Sequence, residues 1–565
     1  MSEQKQCKQC NEKFAVTDDD LAFYKKISPT FAGKTFEIPA PTLCPECREM
    51  RRLSWRNERH LYKRKCDLCK KEMISVYSLN KPYTVYCQQC WWSDKWDPCS
   101  YALEYIPGKF REQFAELYLK VPKIGTSVIN SENCDYDANM SECKNCYMVF
   151  SSVRDEDCLF GRKIIGCKDV VDSVFALDCE ECYEVIYGKN CNRCHFVQYC
   201  SGCSDSMFLL DCKGCHDCFM CTNLVNKSYY YYGKPLTREQ YELKIKESWS
   251  GSHKQLQGLK KEYLEMKKGA ARRENENMNC EDCLGENLLD CKNCLYCFDD
   301  KGAENCKYVN DSWSVGVRDS MDCYICSGEL HYECVSHYNS HSCIFGSMNY
   351  QGNSNLIYSV DCYNGCKNLF GCASMKKSAN CVLNKNYSQE EYEKVAAQVI
   401  EELKKSNNWG EFFPMALSPF GYNESAAMML YPKTKGESIK IGANWEDQGL
   451  HENYSGQFYE PHDNIEEYVK SDEEREKLLT GVLKCEKTGH AYKILSQELS
   501  FYIKHRIPVP HYHYFERFDN RSAALNPRKL FKRKCDKCEK DITTTYAPDR
   551  LEKVYCESCY QKSVL

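Results

Sequence analysis

The chain has 565 residues, 43 of them cysteine, and a net charge of −5. Its mean hydropathy is −0.64, and cysteine together with 41 tyrosines swells a hydrophobic fraction of only 42%, which argues against one large aliphatic core and for several domains. No apolar run approaches the ~20 residues of a membrane helix, and the start, MSEQKQCKQC, has no secretory apolar segment. The expected setting is therefore cytoplasmic, where thiols stay reduced and serve as metal ligands, core residues or redox groups.

Residues 1–92 read as a module of two zinc ribbons. Cys66-x2-Cys69 is followed seventeen residues later by Cys87-x2-Cys90, and Cys7-x2-Cys10 pairs across 33 residues with Cys44-x2-Cys47. Two such knuckles on facing hairpins place four thiolates around Zn²⁺, which has no d-electron preference to oppose a tetrahedron. Residues 93–130 read as a linker or packing segment.

From 131 to 223 the cysteine pattern changes. Cys134, Cys158, Cys182 and Cys203 are separated by 24, 24 and 21 residues, and Cys143, Cys167, Cys191 and Cys212 repeat those intervals. A repeat of this length predicts a solenoid. The segments YEVIYG (183–188), HFVQY (195–199) and SMFLL (206–210) predict short strands between corners of the form Asp/Asn-Cys-x-x-Cys. Reduced cysteine suits such corners as a small hydrophobe. Val170, at the place between Cys146 and Cys194, would be no metal ligand. Further metal sites and disulfides remain the alternatives for these thiols.

Residues 224–278 predict a helical cap and arm, 279–386 a second cysteine-rich solenoid, and 387–406 its helical cap. The two arrays end alike: KGCHDCFMC (213–221) aligns with NGCKNLFGC (364–372), and Thr237-x-x-Gln240 and Ser388-x-x-Glu391 are capping boxes at the same offset. Residues 407–484 read as an extended strap, WGEFFPMALSPFGYNE, and an acidic helical stretch around Glu466 to Lys477.

Residues 485–565 repeat the first module. An offset of 469 aligns RKCDLC (64–69) with RKCDKC (533–538) and VYCQQC (85–90) with VYCESC (554–559), so Cys535, Cys538, Cys556 and Cys559 form a third four-thiol set. The other ribbon of this copy is degenerate: Cys485 remains, but Thr488, His513 and Glu516 stand where Cys10, Cys44 and Cys47 stand in the first copy. The expected content is about three Zn²⁺ per chain.

CKQCNEKFAV, LAFYKK and PTLCPECR resemble the small zinc-ribbon domains of many bacterial proteins. With WRNERHLYKRKCDLC, KPYTVYCQQCWWSDKWDP, NCYMVFSS, NKNYSQEEYE and GEFFPMALSPFGYNE, the chain as a whole resembles a family of cysteine-rich zinc-ribbon proteins of candidate-phylum bacteria. The resemblance implies zinc ribbons at both ends and brings no activity with it. Thr488, His513 and Glu516 depart from its cysteine pattern.

The fold expected is thus mainly β and multidomain, with zinc ribbons at both termini flanking two parallel β-solenoids with helical caps. Positive charge gathers before each ribbon: Arg48, Arg51, Arg52, Arg56, Arg59, Lys63, Arg64 and Lys65, then Arg517, Arg521, Arg528, Lys529, Lys532, Arg533 and Lys534. Arginines interleaved with Trp55, His60 and Tyr62 suit RNA, by phosphate contact and base stacking. They equally suit packing against the acidic array of the same chain, since residues 126–223 hold 16 Asp/Glu against 8 Lys/Arg. No P-loop, G-x-G-x-x-G, G-x-S-x-G or H-E-x-x-H occurs, and a closed four-thiolate zinc site is structural. The expected function is a non-enzymatic zinc scaffold or adaptor, with a protein partner and RNA as candidate ligands and no membrane. The alternatives are metal handling by the central cysteines and a β-helix enzyme acting on carbohydrate.

Overall fold

Left-handed backbone recurs at every third residue from Asn130 to Glu184 in the first cysteine array, and this rhythm builds the fold. In the computed structural model, which describes residues 3–184, 188–189, 195–198, 202–313, 316–447 and 454–564, Asn139, Glu142, Asn145, Met148, Ser151, Arg154 and Asp157 all have φ between 53° and 59°. The residue after each left-handed position is buried: Met140, Cys143, Cys146, Val149, Ser152, Asp155 and Cys158. Parallel bridges join residues twelve apart, as in Tyr147↔Leu159, Leu159↔Val171 and Val171↔Tyr183. Four three-residue steps therefore make one rung. Asn and Asp tolerate left-handed backbone better than other L-residues, and a small thiol next to them fits the crowded inner face. That is the physical content of the Asn/Asp-Cys signature.

The cysteine interval of 24 thus spans two rungs rather than one, because Val170 and Asp155 take the intermediate inner places. The thiols spend their weak donors on backbone carbonyls: Cys212 Sγ lies 3.5 Å from Leu210 O and 3.7 Å from Cys221 O on the next rung. Strands form at His195–Gln198 and Met207–Leu210, where short strands are expected; residues 185–187 of YEVIYG, and Cys191, Cys194 and Cys200, lie outside the described residues. Among those described, no cysteine is in a disulfide.

The second array repeats the plan less regularly, with register steps of eleven (Met321↔Tyr332), twelve (Val335↔Ser347) and thirteen (His341↔Ser354). Gly328 sits at one shift of register with φ +104°, and a Cβ there would come within 1.9 Å of Ser340 O. Both arrays end in an antiparallel turn and a capped helix. Arg238–Ser248 and Gln389–Lys405 start from the Thr237/Gln240 and Ser388/Glu391 capping boxes, and bury Tyr241 and Tyr392. The helix His253–Gly269 follows the first cap, and the acidic stretch forms helices Glu466–Lys470 and Asp472–Thr480.

The described residues form fourteen α-helices and many short strands, a mixed composition, and no helix among them is long and apolar enough to cross a membrane. They fall into two compact units that regroup the linear order of modules. Unit 1 comprises residues 1–127 and 275–447, and unit 2 comprises 128–274 and 448–565. Each unit thus joins one terminal cysteine module to one array, the N-terminal module to the second array and the C-terminal module to the first. The segment expected as a linker contributes a helix, Phe110–Lys120, whose Phe110, Phe114 and Tyr118 enter the aromatic core of unit 1.

Candidate metal centres and their anchors

Each four-thiol set begins with the same tight knuckle. Cys66 N donates to Lys71 O (2.9 Å) and Lys70 N to Cys66 O (2.9 Å), while Cys535 with Lys540 and Glu539 repeats the bonds at 2.8 and 3.0 Å. Asn11, Lys70 and Glu539 take left-handed backbone to close the turn. The second pair of each set opens a helix: Cys44 and Cys87 stand at the N-caps of Pro45–Leu53 and Gln88–Trp91. Each set (Cys7, Cys10, Cys44 and Cys47; Cys66, Cys69, Cys87 and Cys90; Cys535, Cys538, Cys556 and Cys559) brings its sulfurs within 4.8 Å of one another. The Sγ separations Cys10–Cys44, Cys69–Cys87 and Cys538–Cys556 are 3.7, 3.9 and 3.7 Å. A tetrahedron with metal–sulfur bonds of about 2.3 Å has edges of about 3.8 Å. The three sites are therefore dimensioned for a metal ion.

Backbone donors prepare the thiolates. Cys87 N and Cys556 N each point at a knuckle sulfur, Cys66 Sγ and Cys535 Sγ, at 3.2 Å. Burial pushes both thiols up, but the surrounding N–H groups outweigh it and bring Cys66 down to about 7 and Cys535 to about 6.

The degenerate ribbon keeps the knuckle and fills the rest. Cys485 N still bonds His490 O at 2.9 Å, with Gly489 at the left-handed position. His513 has become a helix cap, its Nδ1 accepting from Phe515 N at 3.2 Å, and Glu516 pairs with Lys487 at 2.7 Å. Among the described residues, Cys485, His513 and Glu516 do not gather as a metal-competent group, whereas two unexpected clusters do: His331, Cys334 and His337, all buried, and His253, Glu486 and His511. The first follows the three-residue rhythm of the inner face, so H-x-x-C-x-x-H would be legible once that rhythm is known. The second joins distant segments, and no sequence signal marks it.

The arginine row of the first module is not a surface. Arg48, Arg51, Arg52 and Arg56 are at most 8% exposed. Arg48 Nη2 lies 2.8 Å from Asp322 Oδ2, and Arg52 Nη1 lies 3.3 Å from Asp322 Oδ1 and 3.1 Å from Glu333 Oε2. Arg51 bridges Glu333 at 2.8 Å and Glu411 at 2.7 Å, and Arg56 holds Glu58 at 2.9 Å. Arg64 and Arg533 make the same contact in the two copies, to Asp67 and Asp536 at 3.1 and 2.9 Å. Arg59 and Arg528 are partly buried, whereas Lys63, Lys65, Lys529, Lys532 and Lys534 are exposed. Of the two readings of this arginine row, phosphate contact and packing within the chain, Arg48, Arg51 and Arg52 follow the second: carboxylates of the second cysteine array, Asp322 and Glu333, occupy their guanidinium groups.

Unit 2 makes the same anchor. Arg517 and Arg521, the counterparts of Arg48 and Arg52 at the offset of 469, hold Asp172 at 2.5 and 3.1 Å. Asp172 and Asp322 both have left-handed backbone. Each directly follows a residue paired to a tyrosine one rung on, Val171↔Tyr183 and Met321↔Tyr332. Tyr502 and Tyr24, counterparts in the duplicated modules, pack on those tyrosines at ring distances of 6.2 and 5.2 Å.

No family model matches the chain, and no curated protein matches it. Among solved structures, one named "putative acetyltransferase", from Desulfovibrio desulfuricans G20, aligns with 50% of this chain and 81% of its own. At 6% identity and a TM-score of 0.09, that likeness carries no argument.

Proposed function

We propose that this protein is a non-enzymatic zinc scaffold of a reducing cytoplasm. Three structural Zn²⁺ ions would fold the terminal modules, and each module would lock the open flank of one cysteine-lined parallel β-solenoid. The observation that carries this reading is the pairing of four-thiol sites at tetrahedral spacing with buried arginine anchors onto the ladders. The closed, all-sulfur donor sets suit Zn²⁺ and leave no open position for a substrate. The resemblance to cysteine-rich zinc-ribbon proteins points the same way. Central thiols engaged with backbone carbonyls act as core, which disfavours a metal-handling role for those other than Cys334. The proposal does not extend to RNA, because the arginines that would contact it are spent on carboxylates.

Elemental analysis of the purified chain tests the reading. Three zinc per chain are expected, with one lost on Cys66→Ser and one on Cys535→Ser. Iron in place of zinc, or a content indifferent to these substitutions, would overturn it.

A further inference from the structure

The duplication lets one unit show what belongs in an open site of the other. In unit 1 the strap Trp409–Pro414 lies across the anchor. Trp409 Nε1 donates to Glu37 O at 2.9 Å, and the Glu411 carboxylate takes Arg51 at 2.7 Å and the Thr42 hydroxyl at 2.7 Å. Phe413 stacks on Trp55 and Phe114, with ring centroids 5.1 and 4.4 Å away, and meets Tyr358 edge-on at 5.4 Å. A void of about 10 Å³ lies beside Phe114, Tyr358 and Phe413.

Unit 2 carries the counterparts of that seat without the strap. At the offset of 469, Thr42, Arg51 and Trp55 become His511, Asn520 and Ala524. Tyr358 lies 36 residues beyond Asp322, and Phe208 lies 36 residues beyond Asp172, both in left-handed backbone. His511, Asn520, Ala524 and Phe208 together line a cavity of about 420 Å³. Among the described residues of unit 2 no strap crosses this seat; Tyr263 of the helix His253–Gly269 packs on one side of Phe208 at 5.7 Å, and Ala524 in place of the tryptophan ring leaves space beside it.

The cavity also carries an excess of cations, even though Lys260 pairs with Glu184 at 3.0 Å and Arg517 with Asp172 and Glu498. Lys260, Lys261 and Lys267 of the helix His253–Gly269 line it with Arg517 and Arg521, against a single lining carboxylate, Glu184. Arg521 is 5% exposed, and its Nε and Nη1 have no hydrogen-bond partner. Among the described residues it pairs with Asp172 at 3.1 Å. A buried guanidinium with donors to spare seeks an anion.

We propose that the cavity of unit 2 is a docking site for an extended segment of a partner protein in which an acidic residue adjoins aromatic ones, in the manner of Trp-Gly-Glu-Phe-Phe-Pro at 409–414. The aromatic rings enter the space beside Ala524 and Phe208, and the carboxylate faces Arg521 and the lysines. Unit 1 satisfies the same seat from within its own chain; unit 2 takes it from a partner. This builds on the scaffold reading by naming the chemistry of what is scaffolded.

The probe is a synthetic, fluorescently labelled peptide of residues 407–416, titrated into the full zinc-loaded chain. Saturable one-to-one binding is expected, weakened at least tenfold by Ala524→Trp and by replacing the peptide's glutamate with Gln or its second phenylalanine with Ala. Lys261→Glu, at an exposed position of the helix, is expected to weaken binding several-fold with the fold intact. No saturable binding at millimolar peptide, or binding indifferent to both Ala524→Trp and Lys261→Glu, would overturn the proposal. Zinc content measured on the same samples separates that failure from a failure of the zinc reading.

Discussion

Units 1 and 2 carry the same plan to different degrees of completion. In each, a duplicated module grips a left-handed aspartate of a ladder with two arginines, Arg48 and Arg52 on Asp322, Arg517 and Arg521 on Asp172. Unit 1 has two four-thiol sites, a third arginine bridging Glu333 and Glu411, and a strap filling the aromatic seat. Unit 2 has one four-thiol site, a helix cap and an ion pair in place of the other, and a cavity where the strap would be. The difference teaches which parts are common to both: the anchor is kept in each copy, while, among the described residues, a second four-thiol set and a strap occur in one.

Metal removal should expose that asymmetry most strongly. A structural zinc contributes roughly 10–16 kcal/mol in small zinc-finger peptides, and unit 1 has two sites to lose against one in unit 2. Calorimetry in the presence of a strong chelator should move the unit 1 transition further, and equal shifts would break the comparison. The anchors come next. Arg48→Ala and Arg517→Ala each leave a buried aspartate short of a cation and should each cost about 3–5 kcal/mol, read by hydrogen exchange as loss of protection confined to the unit concerned. Trp55→Ala should cost unit 1 a comparable 3–5 kcal/mol or so through the cavity it opens. Denaturant titration would show whether unit 1 depends on that filling.

The smallest effect sharpens the likeness of the ladders. Asp155 and Asp300 sit on the inner faces, each with one oxygen bonded to a backbone N–H (Cys167 and Ser312, at 2.9 and 2.7 Å) and the other without a partner. Burial pushes both carboxyls well above the usual carboxylate range. A group raised in the folded state stabilises it fully below the unfolded pKa of about 3.9 and loses that contribution as pH rises through the folded value. Asn349 and Asn353 make the same backbone bond in other rungs without a charge. Asp155→Asn and Asp300→Asn should therefore stabilise their units by about 1–3 kcal/mol at neutral pH and above, with no gain in acid. Melting temperatures across pH would show the divergence.

The parts legible in the sequence are those whose partners lie nearby along the chain. The CxxC sets, the Thr237 and Ser388 capping boxes and the 469-residue duplication all declare themselves within short windows or by self-comparison. The three-residue rhythm was hidden because cysteine marks only some inner places; valine, serine, aspartate, asparagine and histidine fill the others, so the visible interval was a multiple of the true one. The partners of the arginines are hidden for a different reason. Arg52 and Glu333 are separated by 281 residues, and neither composition nor spacing says that a carboxylate from so far away will cover a basic helix.

The regrouping of modules has a consequence for synthesis. The N-terminal module is complete near residue 91, but its anchoring aspartate, Asp322, follows about 230 residues later, on the order of 10–50 s at cellular translation rates. Meanwhile the ladder that emerges first carries Asp172, the anchor of the other module. The module must wait, while an imitation of its target is on offer. Arg51 with Glu333 and Glu411, and Trp55 beneath its strap, are contacts that the first ladder does not provide. In the finished molecule they look like surplus stability; during synthesis the Glu333 contact would favour the second ladder over the first.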